Sequence, residues 1–187
     1  MSSHHIVREN QEPALLIQDF RALEKDLLNQ VLEWSPTIIT NTYSLDFLLS
    51  EEIKVDIVFS GVPIPFLQEP TSFFSLEGSF FETAISYLVS KSYPAVNILC
   101  SEIDDTIIKY AEDINVVAFC DNRRYVFVKE QYEKWKPKGE KIFVDPKVLK
   151  SQVGLRPVGE QSFEMEEDGF FRLIFNTETF VCIGEEV

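Results

Sequence analysis

Short apolar runs alternate with amphipathic stretches through the first 120 residues, and this alternation constrains the fold more than any other feature. The runs typical of β-strands are residues 14–17, 37–40, 55–59, 96–100 and 116–120. Helical spacing of apolar residues lies between them, at residues 20–34, 44–49, 78–91 and 104–112. Strands joined through helices run parallel, so the pattern predicts an α/β fold with a mainly parallel sheet flanked by helices.

The last part of the chain has a different pattern. After residues 137–139 (Pro-Lys-Gly) only strand-like runs follow. Asp121-Asn122 and Asp168-Gly169 are turn signals that predict two β-hairpins. We therefore expect an α/β nucleotide-binding-like domain at residues 1–134 and a small all-β domain at 135–187. About 50 residues of strand bury too little surface to fold well alone, so this part should pack on the first domain or on a second subunit.

The charge of the chain bears on its partners. Seventeen basic side chains against 31 acidic ones give a formal charge of −14, which repels phosphate backbones and anionic lipids. We therefore expect no nucleic-acid partner and no membrane role. No apolar run approaches 18 residues and the first residues lack a signal-peptide core, which predicts a cytoplasmic protein.

Several common catalytic devices are missing from the body of the chain. The only histidines are His4 and His5, so neither a Ser-His-Asp triad nor a His-ligated metal site can form from the remaining residues. No GxGxxG or GxxxxGK[ST] loop occurs. Cys100 and Cys120 each end an apolar run, which is typical of small buried strand residues rather than reactive thiols.

Six segments in the same order along the chain carry a resemblance to a known family. They are residues 2–17, 27–39, 53–56, 93–100, 132–139 and 164–184. Together they resemble thiamin pyrophosphokinases of the Bacteroidetes type. That resemblance implies an α/β nucleotide-binding domain followed by a β-sandwich, and a homodimer with thiamin bound between subunits. This chain is shorter near residues 153–161, so its sandwich should be reduced.

The family's metal- and phosphate-binding motifs are rewritten here. Its Gly-Asp-Phe-Asp motif follows a Lys-Val-Asp stretch that is intact and ends at Asp56, but residues 59–65 contain no acid. Its Lys-Thr-Asp falls on residues 78–80 (Gly-Ser-Phe), and its Asp-Gly falls near Asn41-Thr42. Its Thr-Gly-Arg-Arg loop is reduced to residues 101–103. Since pyrophosphoryl transfer needs carboxylates for Mg²⁺ and cations for phosphate, these losses predict an inactive homologue.

A few of the family's site residues remain. The residual catalytic candidates are Asp56, Asp104, Asp105 (where the family has histidine) and Thr106. Ser162 and Phe163 align with a Ser-Ser-Asn stretch near thiamin in the family and are candidates for binding a thiamin-type molecule. Glu102 with Asp104 and Asp105 either holds a divalent ion or, as we favour, lies at a helix start where Asp104 caps it.

Three functions stay open at this point. The first is a catalytically inactive thiamin pyrophosphokinase-like homodimer that holds no metal or cofactor and binds a thiamin-type small molecule. The second is an active thiamine diphosphokinase that uses Mg²⁺ and ATP, and the third is an interaction subunit that pairs with a true pyrophosphokinase. The Phe-rich residues 65–74, with Phe80 and Phe81, either fill the vacated nucleotide site, which we favour, or form an interface.

Overall fold

The computed structural model describes residues 12–33, 37–64 and 70–187. In the first part of the chain the elements are β1 (Ala14–Ile17), α1 (Lys25–Leu32), β2 (Ile38–Asn41), α2 (Thr42–Ser50), β3 (Ile57–Ser60), β4 (Ser72–Ser75), α3 (Phe80–Ser90), β5 (Ala95–Leu99), α4 (Asp105–Tyr110) and β6 (Asn115–Cys120). Strands follow in the second part: β7 (Arg123–Val128), β8 (Gln131–Lys136), β9 (Lys141–Phe143), β10 (Leu149–Val153), β11 (Leu155–Pro157), β12 (Ser162–Met165), β13 (Gly169–Phe175) and β14 (Val181–Glu186).

The described strands form one large sheet and one small sheet. The large sheet has 11 strands in the order β11-β12-β9-β14-β7-β6-β5-β1-β2-β3-β4. Strands β1 to β6 pair in parallel, as the alternation of strands and helices predicts. Strands β7, β14, β9, β12 and β11 join the same sheet through antiparallel pairs. The mixed α/β class with a mostly parallel sheet is therefore confirmed.

Apolar residues on the two faces of the parallel strands form two separate cores. On one face Ala14 and Leu16 pack with α3 and α4, and on the other Leu15 and Ile17 pack with α1 and α2. This alternation follows from the two-residue period of a strand, and it explains why β1 is a continuous apolar run. Both faces of β1 are therefore covered.

The helix predicted from Phe20 is shorter than the sequence pattern indicates. Asp19 caps a 3₁₀ turn at Phe20–Ala22, the backbone is extended at Leu23, and α1 begins only at Lys25. Its apolar stripe is continuous in sequence because the 3₁₀ turn and the helix bury residues against the same core. The stripe thus predicted the buried face correctly but not the break in the backbone.

The small sheet has the order β10-β13-β8 and packs on the antiparallel part of the large sheet. Phe171 and Leu173 of β13 share a core with Ile142 of β9 and Ile183 of β14. Strand β8 spans Gln131–Lys136 and so crosses the expected domain boundary at residue 135, which stays a prediction. The C-terminal strands thus form two layers around one core.

One predicted hairpin is confirmed and the other is wrong. At Asp121 and Asn122 the backbone has φ of 52° and 54°, as a two-residue hairpin turn requires, and β6 pairs with β7. Strands β12 and β13 on either side of Asp168-Gly169 do not pair, because they lie in different sheets. Phe163 and Phe171 face the same core from opposite layers, so the chain crosses between sheets at this turn.

Both cysteines that follow apolar runs are buried. Cys100 directly follows β5 and is fully buried, and burial raises the pKa of its thiol above the ordinary value. Burial likewise raises the pKa of the Cys120 thiol in β6. These thiols are protonated at neutral pH and act as small core residues, as the sequence predicts. No helix among the described residues is long and apolar enough to cross a bilayer.

Candidate functional site

The parallel part of the sheet has one topological switch point, between β1 and β5. Strands β2, β3 and β4 continue on one side of β1, whereas β5 and β6 lie on the other. In open α/β sheets ligands bind outside the carboxyl ends of the strands at such a point. Strands β1 and β5 are followed by Gln18 and Cys100, whereas β2 ends at Asn41 and leads directly into α2. These three residues and their surroundings are the candidate site.

Hydrogen bonds within the chain cross this crevice. Gln18 Oε1 accepts from the backbone N–H of Ser101 at 3.1 Å and lies 3.4 Å from its hydroxyl. On the other side, the carbonyl oxygen of Gln18 accepts from Asn41 Nδ2 at 3.3 Å and from Ser44 Oγ at 3.1 Å. The segment after β1 is thus hydrogen-bonded to the end of β2, to the start of α2 and to the loop after β5. Polar groups that would otherwise face a ligand are therefore bonded to one another.

Asp19 is the buried carboxylate nearest to the crevice. It accepts from the backbone N–H of Arg21 at 2.9 Å and from the Arg21 Nε and Nη2 atoms at 3.0 Å each. The side-chain hydrogen bond from Arg21 holds the pKa of Asp19 below its ordinary value, and the backbone bond acts in the same direction against burial. Asp19 is therefore an ionised cap of the 3₁₀ turn with its own counter-ion.

Asp104 also lies at the edge of the sheet where the parallel strands have their carboxyl ends (the carboxyl edge), and it caps a helix. Its Oδ1 accepts from the backbone N–H groups of Thr106 at 2.7 Å and Ile107 at 3.1 Å, which leaves it as the N-cap of α4. Asp105 is exposed in the first turn of α4, and Thr106 is half-buried. The capping role expected for Asp104 is confirmed, because its oxygen satisfies backbone donors that have no partner inside the helix.

Asp56 lies at the opposite end of the sheet. It precedes β3, where Oδ2 accepts from the backbone N–H of Ile38 at 3.0 Å and Oδ1 pairs with Lys54 Nζ at 2.9 Å. The carboxyl ends of parallel strands share one edge, and Asp56 is at the amino ends. The structure therefore brings Asp104, Asp105 and Thr106 together, but it does not bring Asp56 to them.

The described residues do not fit a magnesium–nucleotide site at this edge. Within residues 12–33, 37–64 and 70–187, no three His, Cys, Asp or Glu side chains lie close enough to hold a metal ion. Glu102 is exposed, whereas Asp19 and Asp104 already bond groups of their own chain. Among the described residues, this edge therefore offers no set of carboxylates for Mg²⁺.

The Phe-rich segment forms the outer edge of the large sheet as far as it is described. Phe73 and Phe74 lie on β4, three strands away from β1, which is about 14 Å at the usual strand spacing. Phe74 packs on Phe59 and Tyr87, at ring-centroid distances of 5.6 and 5.3 Å. These two rings do not reach the β1–β5 crevice. Residues 65–69 of the segment lie outside the described residues.

The two candidates for a thiamin-type ligand lie in β12. Phe163 is only 5% exposed and packs in the C-terminal core, whereas Ser162 is half-buried. The carbonyl oxygen of Ser162 accepts from the backbone N–H groups of Val158 at 2.9 Å and Gly159 at 3.2 Å. Ser162 therefore lies beside a tight loop, with its hydroxyl as the polar group there.

The structure contains a charged cluster between the two sheets that was not predicted from the sequence. Glu185 of β14 is 2% exposed and accepts from Tyr132 Oη and Lys134 Nζ at 2.5 Å each. Lys136 Nζ lies 3.3 Å away and Arg124 Nη1 3.9 Å away. Burial acts to raise the pKa of Glu185, but the hydrogen bonds and positive charges outweigh it and lower the pKa. The two-residue spacing of Tyr132, Lys134 and Lys136 was the available signal.

Solved structures of thiamin pyrophosphokinases are similar to this fold over almost the whole chain. The enzyme from Bacillus subtilis superposes with a TM-score of 0.67 at 12% identity, covering 94% of this chain and 99% of that one. A probable thiamine pyrophosphokinase from Staphylococcus saprophyticus gives 0.63 at 14% identity, with 94% and 100% covered. Yeast thiamin pyrophosphokinase gives 0.64 at 9% identity, with 96% and 87% covered.

These likenesses define the fold of the chain. No protein-family model matches the sequence, and no curated protein matches it either. The chain therefore has the thiamin pyrophosphokinase fold, with sequence identity too low to carry an activity over.

Proposed function

We propose that the chain is a catalytically inactive homologue of thiamin pyrophosphokinases, of the Bacteroidetes type, that keeps the family's fold and dimer. The similar structures extend over both the parallel strands and the C-terminal layers, which supports descent of the whole architecture rather than of one half. The proposal includes the C-terminal layers as a reduced β-sandwich. It also includes a thiamin-type small molecule bound between two subunits.

The observation that carries the proposal is that the carboxylates at the carboxyl edge already bond groups of their own chain. Transfer of a pyrophosphoryl group concentrates negative charge, which enzymes neutralise with Mg²⁺ on carboxylates and with Lys or Arg on phosphate oxygens. Here Asp19 pairs with Arg21, and Asp104 caps α4. Both acids stabilise their own backbone, so neither carboxylate is free to hold a metal without loss of a cap.

An exposed apolar patch supports the dimer. On the outer face of the small sheet, Trp135, Phe170 and Val153 are 52%, 67% and 65% exposed, and Trp135 lies directly opposite Phe170. Contiguous exposed rings of this kind mark interaction surfaces. We expect Trp135→Lys to shift a dimer towards monomer in light scattering, and Val62→Lys, an exposed site on the loop after β3, to leave the mass unchanged.

The decisive test of inactivity is thiamin-dependent formation of AMP. The purified chain, ATP, Mg²⁺ and thiamin are incubated beside the Bacillus subtilis enzyme, and AMP is quantified by chromatography. We expect no AMP above a protein-free blank. Formation of AMP that requires both thiamin and Mg²⁺ would establish the alternative, an active thiamine diphosphokinase.

Binding of thiamin is tested separately from catalysis. Isothermal calorimetry with thiamin and no nucleotide should give saturable heat if the intersubunit site is kept, and Ser162→Ala should weaken it. No heat at millimolar thiamin would remove the ligand from the proposal while leaving inactivity untouched. Co-expression with a true pyrophosphokinase would then test the interaction-subunit alternative, since exclusive self-association contradicts it.

A further inference from the structure

A cavity of about 440 Å³ lies on the face of the large sheet that carries α1. Its floor includes Asn97 of β5 and Phe119 of β6, and its wall includes Leu23 with the α1 residues Leu27 and Val31. The volume is in the range of small-molecule sites, roughly 300–1,000 Å³. This cavity is separate from the carboxyl-edge crevice, where Gln18 meets Ser101.

The placement of the layers explains why the sheet is open here. Helix α1 packs on the core that contains Leu15 and Ile17 of β1, whereas the small sheet packs over β9 and β14. Strands β5 and β6 lie between these two covers in the strand order. On β5, Val96 and Ile98 enter the opposite core, so Asn97 faces the α1 side.

Asn97 is a polar side chain on a largely apolar floor. It is half-buried, and no group among the described residues hydrogen-bonds its side-chain amide. A side-chain amide offers two donors and one acceptor on adjacent atoms. A ligand that matches both groups replaces the water on this amide with two direct hydrogen bonds and thereby gains affinity.

The remaining lining residues set the charge and shape of the ligand. Glu12 and Gln30 are polar, and none of the described residues that line the cavity is Lys or Arg. An anion would therefore meet no counter-ion, and a cation would gain little from Glu12, because that acid is exposed. Phe119 presents an aromatic ring, and flat rings stack on such a surface with an offset. Apolar walls with few polar groups are the usual composition of a small-molecule pocket.

We propose that this cavity binds an uncharged, flat heteroaromatic molecule of about two fused rings that presents a hydrogen-bond donor beside an acceptor to the Asn97 amide. Its rings lie between Phe119 and the α1 side chains Leu27 and Val31. The site lies within one subunit, so it depends on neither the dimer nor a thiamin site.

The probe for this proposal is isoquinolin-1(2H)-one, a neutral two-ring lactam. Titration of the isotopically labelled full chain, followed by NMR, should give a saturable shift of the Asn97 side-chain NH₂ signal. The N-methyl lactam, which lacks the donor, should bind about threefold to tenfold more weakly, the range for loss of one hydrogen bond. Absence of saturable binding by either compound overturns the proposal.

Two variants separate recognition by Asn97 from simple apolar binding. Asn97→Leu should abolish the preference for the lactam over its N-methyl derivative, whereas Asn115→Leu, an exposed amide on β6 outside the cavity, should keep it. Val31→Phe places a larger side chain in the cavity wall where the rings would lie and should weaken binding of both compounds, with an intact unfolding transition as the control for folding. A preference that survives in Asn97→Leu contradicts the assignment.

Discussion

The carboxylates of the carboxyl edge and the carboxylate of Glu185 are stabilised over very different distances in sequence. Asp19 and Asp104 bond groups two or three residues away, at the start of a 3₁₀ turn and of a helix. Glu185 bonds Lys134 and Tyr132, which lie 51 and 53 positions away in the small sheet. Acids at the edge therefore stabilise local starts of helices, whereas Glu185 links two layers.

This difference indicates which charged residues contribute most to the stability of the fold. A local cap can be lost with its helix largely intact, because its neighbours remain in contact with water. Loss of Glu185 removes the counter-ion of Lys134 and the acceptor of the Tyr132 hydroxyl at the interface between the two layers, which is much more unfavourable. The largest electrostatic contribution to stability should thus lie at Glu185 on β14, which is four strands away from β1 in the sheet.

The largest expected effect comes from Glu185→Ala. It removes the ion-pair partner of Lys134 at the inner face of β8 and leaves Lys136 with Glu140 alone among the described carboxylates, and we expect a loss of about 3 kcal/mol in the free energy of unfolding. Glu186→Ala removes an exposed acid paired with Lys141 and should change it by less than about 0.5 kcal/mol. Urea unfolding measures both, and equal effects would refute the contrast.

The pH dependence of stability sharpens the same contrast. The pKa of Glu185 is lower in the folded chain than its ordinary value, so its stabilisation is present above the ordinary value and is lost as pH falls through the folded pKa. The difference in unfolding free energy between the wild type and Glu185→Gln should therefore be full at pH 7 and shrink below about pH 4.3. A difference that stays constant down to pH 3 contradicts an ionised Glu185.

A smaller effect is expected at the N-cap of α4. Asp104→Ala removes the acceptor for two backbone N–H groups and should lower the free energy of unfolding by about 1 kcal/mol. Asp105→Ala, at the exposed neighbour, should change it by only about 0.3 kcal/mol through the helix dipole. Chemical denaturation with circular dichroism distinguishes the two, and reversal of their order would argue against the capping role.

The smallest effect concerns the tie across the crevice. Gln18→Ala breaks the hydrogen bond to Ser101 in an accessible loop, with an expected loss of about 0.5–1 kcal/mol. Amide exchange at Ser101 should become faster, because its N–H then bonds only water. Protection of Ser101 that is unchanged in the variant would show that the crevice is held closed by other contacts.

The parts that could be predicted from the sequence are those set by neighbours in the chain. Asp104 was assigned as a cap because capping involves residues within one helical turn, and the parallel strands followed from alternating periods. The Asp121-Asn122 hairpin was predicted for the same reason. The partner of β12 was not, since a turn signal at Asp168-Gly169 does not say which sheet the next strand joins.

The candidate site was harder to predict than the fold. Asp56 belongs to an intact sequence motif, but only the register of the sheet shows that it lies at the amino ends of the strands, away from Asp104. The Glu185 cluster depends on contact between strands about 50 residues apart, and the two-residue spacing on β8 indicates one side of the cluster but not its partner strand. Long-range pairing, rather than residue type, decided both cases.

We propose that the acids at the carboxyl edge stabilise the fold and do not hold a metal–nucleotide complex. Titration with Mn²⁺–ATP, monitored by paramagnetic broadening of amide signals, tests it most directly. We expect no saturable broadening centred on Asp19, Ser101 and Asp104. Broadening centred on these residues that saturates with Mn²⁺–ATP and is lost in Asp104→Ala would contradict the claim.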